Sequence, residues 1–492
     1  MTLPARRFLR VCMACLLVAL APLLAGCETA PGTGRTFFTG GMSAKDEIAL
    51  GAQEHEKIVP EFGGAYDDPA LAAYVGSVGT LLAKTSETPD LKFTFTVLDT
   101  PIVNAFALPG GYVYVTRGLI ALAGDEAELA GVLAHEIGHV TARHSAERYG
   151  QQMAANIAQL GLGILLGNGA ITQAFGTAGA LALRSFSRDQ ESEADKLGIR
   201  YLTRAGYDPG AMASFLGKLL ADSRLDAEMH GEPGKADKFN IMQTHPRTAD
   251  RIEAAMREAG VTSVAQPMRA RDIYLDKIDG ILFGDDPDQG FVRGRRFLHP
   301  KLRFAFEAPE GFKLYNSSAA IIAVGPSGAG IVVGRTRAAG GASMTAYLTR
   351  VWAKSVTLSD VEAITVNGMP AATGYVQLQT SKGPRDVRLV AIGYDRQTIY
   401  RMMFITLPEQ TASMSRELRD TTYSFRKLSQ AEAAALKPFR IRIHIVRPGE
   451  TPESLAARMP FESYAMQRFL VLNGMHPGEA LKPGRKVKLV AE

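Results

Sequence analysis

His135 and His139 flank Glu136 in the run AHEIGHVTARH, residues 134–144. Residues four apart stand on one face of a helix, so both imidazoles can reach one ion at about 2.0–2.1 Å. Glu136 is rotated off that axis and stands beside such an ion rather than on it. A carboxylate there can take a proton from water that the ion has acidified to a pKa of about 7. That is the physical content of the H-E-x-x-H pattern. A plain helix with two surface histidines has the same spelling, so the rest of the chain must supply a third ligand.

The longer pattern H-E-x-x-H-x-x-G-x-x-H fails, because Ala142 and Ser145 occupy its glycine and last-histidine positions. His144 is turned roughly 140° from His139 on a continuous helix. It is expected to face solvent or a second helix. The run SRDQESEADKLG, 187–198, offers a carboxylate instead. Glu191 and Asp195 share one helical face, so Glu191 can bind the ion while Asp195 accepts a ring N–H from a liganding histidine and fixes its tautomer. Asp189 is a weaker ligand candidate, and Glu193 is expected to point to solvent.

Several elements must hold these residues in place. Apolar residues at Leu129, Val132, Leu133, Ile137 and Val140 predict a long helix from Asp125 to about Gly150, with Asp125 and Glu128 as a capping box. Helical periodicity also begins near Ala44 and continues through DPALAAYVGSVGTLLAKT, before strand-like runs KFTFTVLD and GYVYVTRG around NAFALPGG. Residues 149–183 carry no charge and are long enough to cross a bilayer, but their glycines, Gln and Asn favour a helical hairpin packed on the protein or touching the membrane surface. After FGDDPDQG the pattern changes. Residues 291–430 alternate as in LRFAFEAP, GIVVGR and VRLVAIGY, with helical stretches near 343–355 and 409–420, which reads as an α+β domain without a cluster of catalytic residue types.

AHEIGHVTARH, SRDQESEADKLG, NAFALPGGYVYVTRGL and THPRTADRI occur in the order of an M48-family zinc metallopeptidase, which residues 45–270 resemble. The resemblance implies a mainly α, zincin-type (gluzincin) peptidase domain over 45–284 with a small edge-strand sheet. It implies one Zn2+ ion on His135, His139 and Glu191, Glu136 as the base, and Asp195 behind the ligands. It also implies that His245 and Arg251 face the active site. There His245 can stabilise the oxyanion of the tetrahedral intermediate or cap the metal in a resting state; a plain helix-start histidine is the bland alternative. Asn104, Ala105, Phe106, Ala107 and Leu108 match the family's edge strand, to which an extended substrate can add its main chain.

Residues 438–492 read strand, turn, helix, helix, strand, a small βααβ unit. They resemble a LysM module in the strand before PGET, in Leu455 and Ala456, in LVLNG ending at Gly474 and in LKPGRKVKL. Pro452 stands where such modules carry an aliphatic residue. Peptidoglycan is the partner that this resemblance suggests.

At the N-terminus Arg6, Arg7 and Arg10 precede an uncharged run and LLAGC, which resembles a bacterial lipobox. Residues 1–26 are then a signal peptide, Cys27 is acylated, and 27–44 form a tether. Removing those three arginines lowers the formal charge of +5 to +2, which is no footprint for nucleic acid. Cys12 and Cys15 leave with the signal, so the mature chain forms no internal disulfide. The expected protein is a multidomain endopeptidase on the periplasmic side of the envelope, anchored to the membrane through Cys27, in the outer membrane rather than the inner. Its expected substrates are polypeptides of misfolded or unassembled envelope proteins. The competing expectation is an adaptor or chaperone that holds cell-wall or barrel-assembly partners with little turnover.

Overall fold

A computed structural model describes residues 27–39, 41–149, 151, 185–229, 231, 234, 245, 248–261, 264–316, 320–338, 343–380 and 383–492. The signal segment 1–26 and all of the uncharged stretch 149–183 except Tyr149 and Gln151 lie outside them. Among the described residues, no helix is long and apolar enough to cross a membrane. The chain divides into two compact units, one taking the residues up to Phe283 together with Arg440–Ala491, the other Gly284–Phe439.

The first unit opens with an antiparallel hairpin of β1 (Cys27–Thr29) and β2 (Thr36–Phe38), in the segment that the sequence reads as a tether. Helix α1 (Ala44–Glu61) starts on a capping box of Ser43 and Asp46. Helix α2 (Pro69–Thr85) starts on Asp68, whose side chain accepts from the Leu71 N–H, with Pro69 in the first turn where its missing N–H is no loss. β3 (Thr94–Leu98), β4 (Ala105–Leu108) and β5 (Tyr112–Thr116) form a sheet in the order β3-β5-β4, so β4 is an edge. β3 runs parallel to β5 and β4 antiparallel. The helices α3 (Arg117–Leu122), α4 (Glu126–Thr141), α5 (Arg188–Arg204), α6 (Gly210–Met229), α7 (Thr248–Val261) and α8 (Arg271–Ile278) follow.

Helix α4 is the centre of this unit. Every residue from Ala127 to His139 is buried, which a helix achieves only when it is packed on all sides. Its start differs by one residue from the expected capping box. Asp125 accepts from the Glu128 N–H at 2.9 Å, but Glu128 reaches back to the Gly124 N–H at 2.7 Å. Glu128 also accepts from the Lys218 ammonium on α6 at 2.7 Å, inside the protein. Its end differs more. The predicted helix to Gly150 is broken: α4 stops at Thr141, Arg143 adopts a left-handed φ of 56°, and helical residues resume at 144–149.

In the second unit, seven strands make an antiparallel sheet: β6 (Lys313–Asn316), β7 (Ile321–Val324), β8 (Gly330–Arg337), β9 (Ser359–Val366), β10 (Met369–Thr380), β11 (Gly383–Gly393) and β12 (Thr398–Thr406). Their order across the sheet is β6-β7-β8-β12-β11-β10-β9. Along β11, Val390 and Ile392 face one core with Leu418 of the helix Pro408–Ser424. Val387, Leu389 and Ala391 face another core with Tyr347 and Leu348. This alternation is what the sequence led us to expect of a sheet with helices on it, and it gives the chain a large sheet-rich region in addition to its helical one.

Residues 440–491 return to the first unit. β13 (Phe439–Ile445), two helices over Pro452–Ala456 and Ala465–Asn473, and β14 (Lys486–Ala491) follow in the predicted order, with β13 and β14 antiparallel. They do not stand apart from the helical unit. Main-chain hydrogen bonds join Ile441 to Gly280 and Ile281 at 2.8 and 2.9 Å. The buried Lys488 ammonium donates to the carbonyls of Ala121, Leu122 and Ala123, which α3 leaves unpaired at its C-terminus, at 2.7–2.9 Å.

Candidate metal centre and active site

Two glycines let α4 and α5 lie close together. A Cβ on Gly198 would stand 3.1 Å from the His135 nitrogen and 3.2 Å from its Cα; one on Gly138 would stand 3.0 Å from the Ala194 carbonyl oxygen. Glu191 lies two helical turns before Gly198 and Asp195 one turn before it, so the same close face brings both carboxylates to the histidines. The capping box of Ser187 and Gln190 starts α5 one turn ahead of them.

The three expected ligands converge. His135 Nε2 and His139 Nε2 are 3.0 Å apart, and the Glu191 oxygens lie 3.7 and 3.5 Å from them. His245 joins the group, with its Nδ1 2.9 Å from Glu191 Oε1 and 3.3 Å from His135 Nε2. One donor atom from each of the four residues falls within 4.8 Å of all the others, and all four residues are buried. Asp189 is exposed at the start of α5 and does not belong to this group.

These residues fit a zinc ion. Four ligands at 2.0–2.1 Å around a tetrahedral centre stand about 3.3 Å from each other, close to the separations here. Burial pushes the His139 imidazole well below its usual range, which keeps a lone pair on it. Glu136 is fully buried with neither carboxyl oxygen hydrogen-bonded, and burial raises its pKa. An orphaned carboxyl beside a cluster of nitrogen and oxygen donors costs stability unless it has a task there. Glu136 Oε1 lies 3.6 Å from His245 Nε2.

The His135 imidazole is supported from behind. Asp195 Oδ1 is 2.9 Å from His135 Nδ1, as its spacing predicted. Arg251 grips Asp195 with two hydrogen bonds of 2.7 and 2.8 Å and reaches Glu191 Oε2 at 2.6 Å. Arg251 thus binds both carboxylates from α7 and does not itself lie in the donor group.

Of the two surroundings expected for His144, the structure has the second helix and not solvent: it is fully buried, its Nε2 lies 3.2 Å from Glu193 of α5, and its Nδ1 lies 2.7 Å from His139 Nδ1. The rotation of roughly 140° assumed a helix that continues, whereas the turn at Arg143 brings the ring back beneath His139. The expectation that Glu193 points to solvent is overturned. It accepts from Arg35 at 2.9 Å, lies 3.2 Å from His144 Nε2 and accepts from the Thr33 hydroxyl. Phe186, which no motif marked, stacks on the His139 ring at 3.8 Å. The signal that could have found Gly138 and Gly198 is their position on the faces that carry the ligands.

The proposed substrate strand is β4. Asn104 precedes it, and its side-chain oxygen is buried with no hydrogen-bond partner. Ala105, Phe106, Ala107 and Leu108 are 0–6% exposed, so this sheet edge is covered rather than open to solvent. Cys27 begins β1.

The comparisons with known proteins agree with this geometry. Residues 69–259 match the model of peptidase family M48. The β-barrel assembly-enhancing protease of Escherichia coli (strain K12) is 32% identical over 254 residues, which cover 48% of this chain and 50% of that protein. The mitochondrial metalloendopeptidase OMA1 of Schizosaccharomyces pombe is 34% identical over 211 residues, covering 42% of this chain and 59% of that one. OMA1 of Arabidopsis thaliana is 39% identical over 148 residues, covering 29% and 30%. The chain therefore spans about half the length of the bacterial relative and no more than 59% of these mitochondrial ones. The matched residues 69–259 contain all four donors and Glu136.

Proposed function

We propose that this chain is a zinc-dependent endopeptidase that hydrolyses peptide bonds of misfolded or unassembled proteins of the bacterial cell envelope. One observation carries the reading: two buried imidazoles and the Glu191 carboxylate converge beside Glu136, whose carboxyl oxygens accept no hydrogen bond. The printed names of the bacterial and mitochondrial relatives support a metalloendopeptidase, and the bacterial name supports substrates in the envelope. Two nitrogens and one carboxylate oxygen suit zinc in a catalytic site.

His135, His139 and Glu191 hold the ion, which when bound supplies Lewis acidity toward a carbonyl and makes water beside it easier to deprotonate. Glu136 takes a proton from the attacking water and later gives it to the leaving amine. Its buried, proton-favouring setting suits a group that must act in turn as base and acid. Asp195 keeps the His135 ring in the tautomer that presents Nε2, and Arg251 holds Asp195 and Glu191 in register. His245 stands where a fourth ligand belongs, which supports the resting, capped arrangement over an oxyanion role. Substrate entry then requires that ring to leave, and the edge of β4 pairs with the main chain of the substrate from Asn104 to Leu108. In this reading acylated Cys27 anchors the chain to the membrane, preferentially the outer one, and the LysM-like segment 438–492 contacts peptidoglycan.

Glu136→Gln tests the chemistry. The variant is expected to bind zinc as the parent does and to lose digestion of an unfolded substrate such as casein, which the parent cleaves in a chelator-sensitive manner. Continued cleavage by the variant removes Glu136 as the base.

A further inference from the structure

We propose that His139 is held in place by a relay of its own, through His144 and Glu193, whose far end is supplied by the N-terminal hairpin. The proposal rests on the zinc reading of the site. His135 already shows the pattern: an imidazole fixed by Asp195, which Arg251 fixes in turn. On the other side, His139 Nδ1 lies 2.7 Å from His144 Nδ1, and His144 Nε2 lies 3.2 Å from Glu193 Oε2. Only one assignment of protons lets every link form while His139 Nε2 keeps its lone pair for the ion. His139 Nδ1–H donates to His144 Nδ1, and His144 Nε2–H donates to the Glu193 carboxylate. His144 is thus neutral and serves as acceptor and donor at once.

The end of the relay lies more than a hundred residues away in sequence. Arg35, just before β2, donates to Glu193 at 2.9 Å and to Glu147 at 2.8 and 3.0 Å, and Thr33 in the hairpin turn donates to Glu193. Gln190 on α5 reaches the same Glu147 at 2.7 Å. The turn that carries His144 is pinned from the same region. Arg143, in its left-handed conformation, binds Glu28 of β1, Glu47 of α1 and the Met42 carbonyl. A non-glycine residue holds such a conformation only where its surroundings fix it. Residues 28–47 therefore position His144 from two directions, and residues 33–35 are part of the support of the metal centre rather than a bare tether.

Zinc affinity of the full chain, measured by competition with a chromophoric chelator, tests this. In His144→Asn the Oδ1 stands where Nδ1 stood and still accepts from His139; in His144→Gln no acceptor stands there, although the longer amide still reaches Glu193. We expect His144→Gln to lose about 10–100-fold in affinity and His144→Asn to stay within about threefold of the parent, the loss being that of an outer-shell partner. Arg35→Ala is expected to lose affinity severalfold. The melting temperature of the zinc-free proteins reports any general loss of fold. Equal affinities for the Gln and Asn variants overturn the relay, and an unchanged Arg35→Ala overturns the part of the hairpin. If the parent itself binds no zinc, the metalloendopeptidase reading fails first and the relay with it.

Discussion

Replacing Gly198 by alanine separates two effects that usually act together. In an exposed helix the change from glycine to alanine is stabilising by up to about 1 kcal/mol, because glycine loses more backbone freedom on folding. At Gly217 on α6 an added Cβ meets nothing within 4 Å, so Gly217→Ala should show that gain. At Gly198 the same methyl lands 2.8 Å from Met212 Cε and 3.1 and 3.2 Å from the His135 nitrogen and Cα. The methionine tip can swing away; the backbone of α4 cannot. Restoring an ordinary contact of 3.4 Å or more moves α4 from α5 by at least about 0.3 Å, and overpacking of this kind costs about 1–3 kcal/mol. The shift acts on His135 against Glu191, and metal–ligand distances tolerate only about 0.2 Å. We therefore expect Gly198→Ala to be destabilised in urea unfolding, where Gly217→Ala is stabilised, and to bind zinc about tenfold more weakly. A Gly198→Ala variant as stable as the parent, with the same zinc affinity, would falsify the claim that close helix approach sets this site.

Two further outcomes concern groups away from the metal. Lys488 donates to three carbonyls, a demand that only an ammonium meets because a neutral amine has two protons, although burial pushes its pKa down. Lys488→Met leaves those carbonyls without the donor, and we expect a loss of about 2–4 kcal/mol in urea unfolding; an unchanged midpoint would show that residues 440–491 lend α3 no support. Burial and the nearby Asp226 raise the Asp222 carboxyl on α6 to about 7. Its unfolded value is about 3.9, so the folded state holds the proton more tightly and stability falls as pH rises from about 4 to about 7. Asp222→Asn should therefore stabilise the protein at pH 8 and leave it nearly unchanged at pH 4; equal effects at the two pH values would refute the assignment.

The parts of this molecule that were legible in the sequence are those fixed by spacing along one helix. His135 with His139, and Glu191 with Asp195, are each four residues apart, so their relative directions follow from 3.6 residues per turn whatever surrounds them. The sheet unit was legible for the same reason with a period of two: Leu389 and Val390 must face opposite cores. What was not legible depends on distant partners. No local rule stops α4 at Thr141, since Arg143 is no glycine and holds its left-handed φ through Glu28, Met42 and Glu47. Helical spacing left His144 facing solvent or a second helix and turned Glu193 to solvent, whereas the two side chains contact each other. The order of elements in 438–492 was readable, but not that Lys488 would close the end of a helix more than 360 residues earlier.

The same distinction separates ligands from their supports. A ligand pair on a helix can be specified by two residues, but two bare imidazoles rotate about their side-chain bonds and must be stopped by partners on other elements. In this chain α7 supplies that stop for His135 through Arg251 and Asp195, and the N-terminal hairpin supplies it for His139 through Arg35, Glu193 and His144. Both routes pass through α5, which carries Glu191, Glu193 and Asp195 within five residues. Side chains at 191 and 195 face one way and 193 another, so a single helix can bind the ion, fix one histidine directly and fix the other through an intermediary. A displacement of α5 would therefore disturb all three proposed ligands together, whereas a substitution at Arg35 disturbs the His139 imidazole first and one at Arg251 frees both Glu191 and the Asp195 behind His135. This predicts that Arg35 differs from Gly198 in kind: its loss loosens one ligand of an otherwise intact fold, while crowding between the helices moves the whole set.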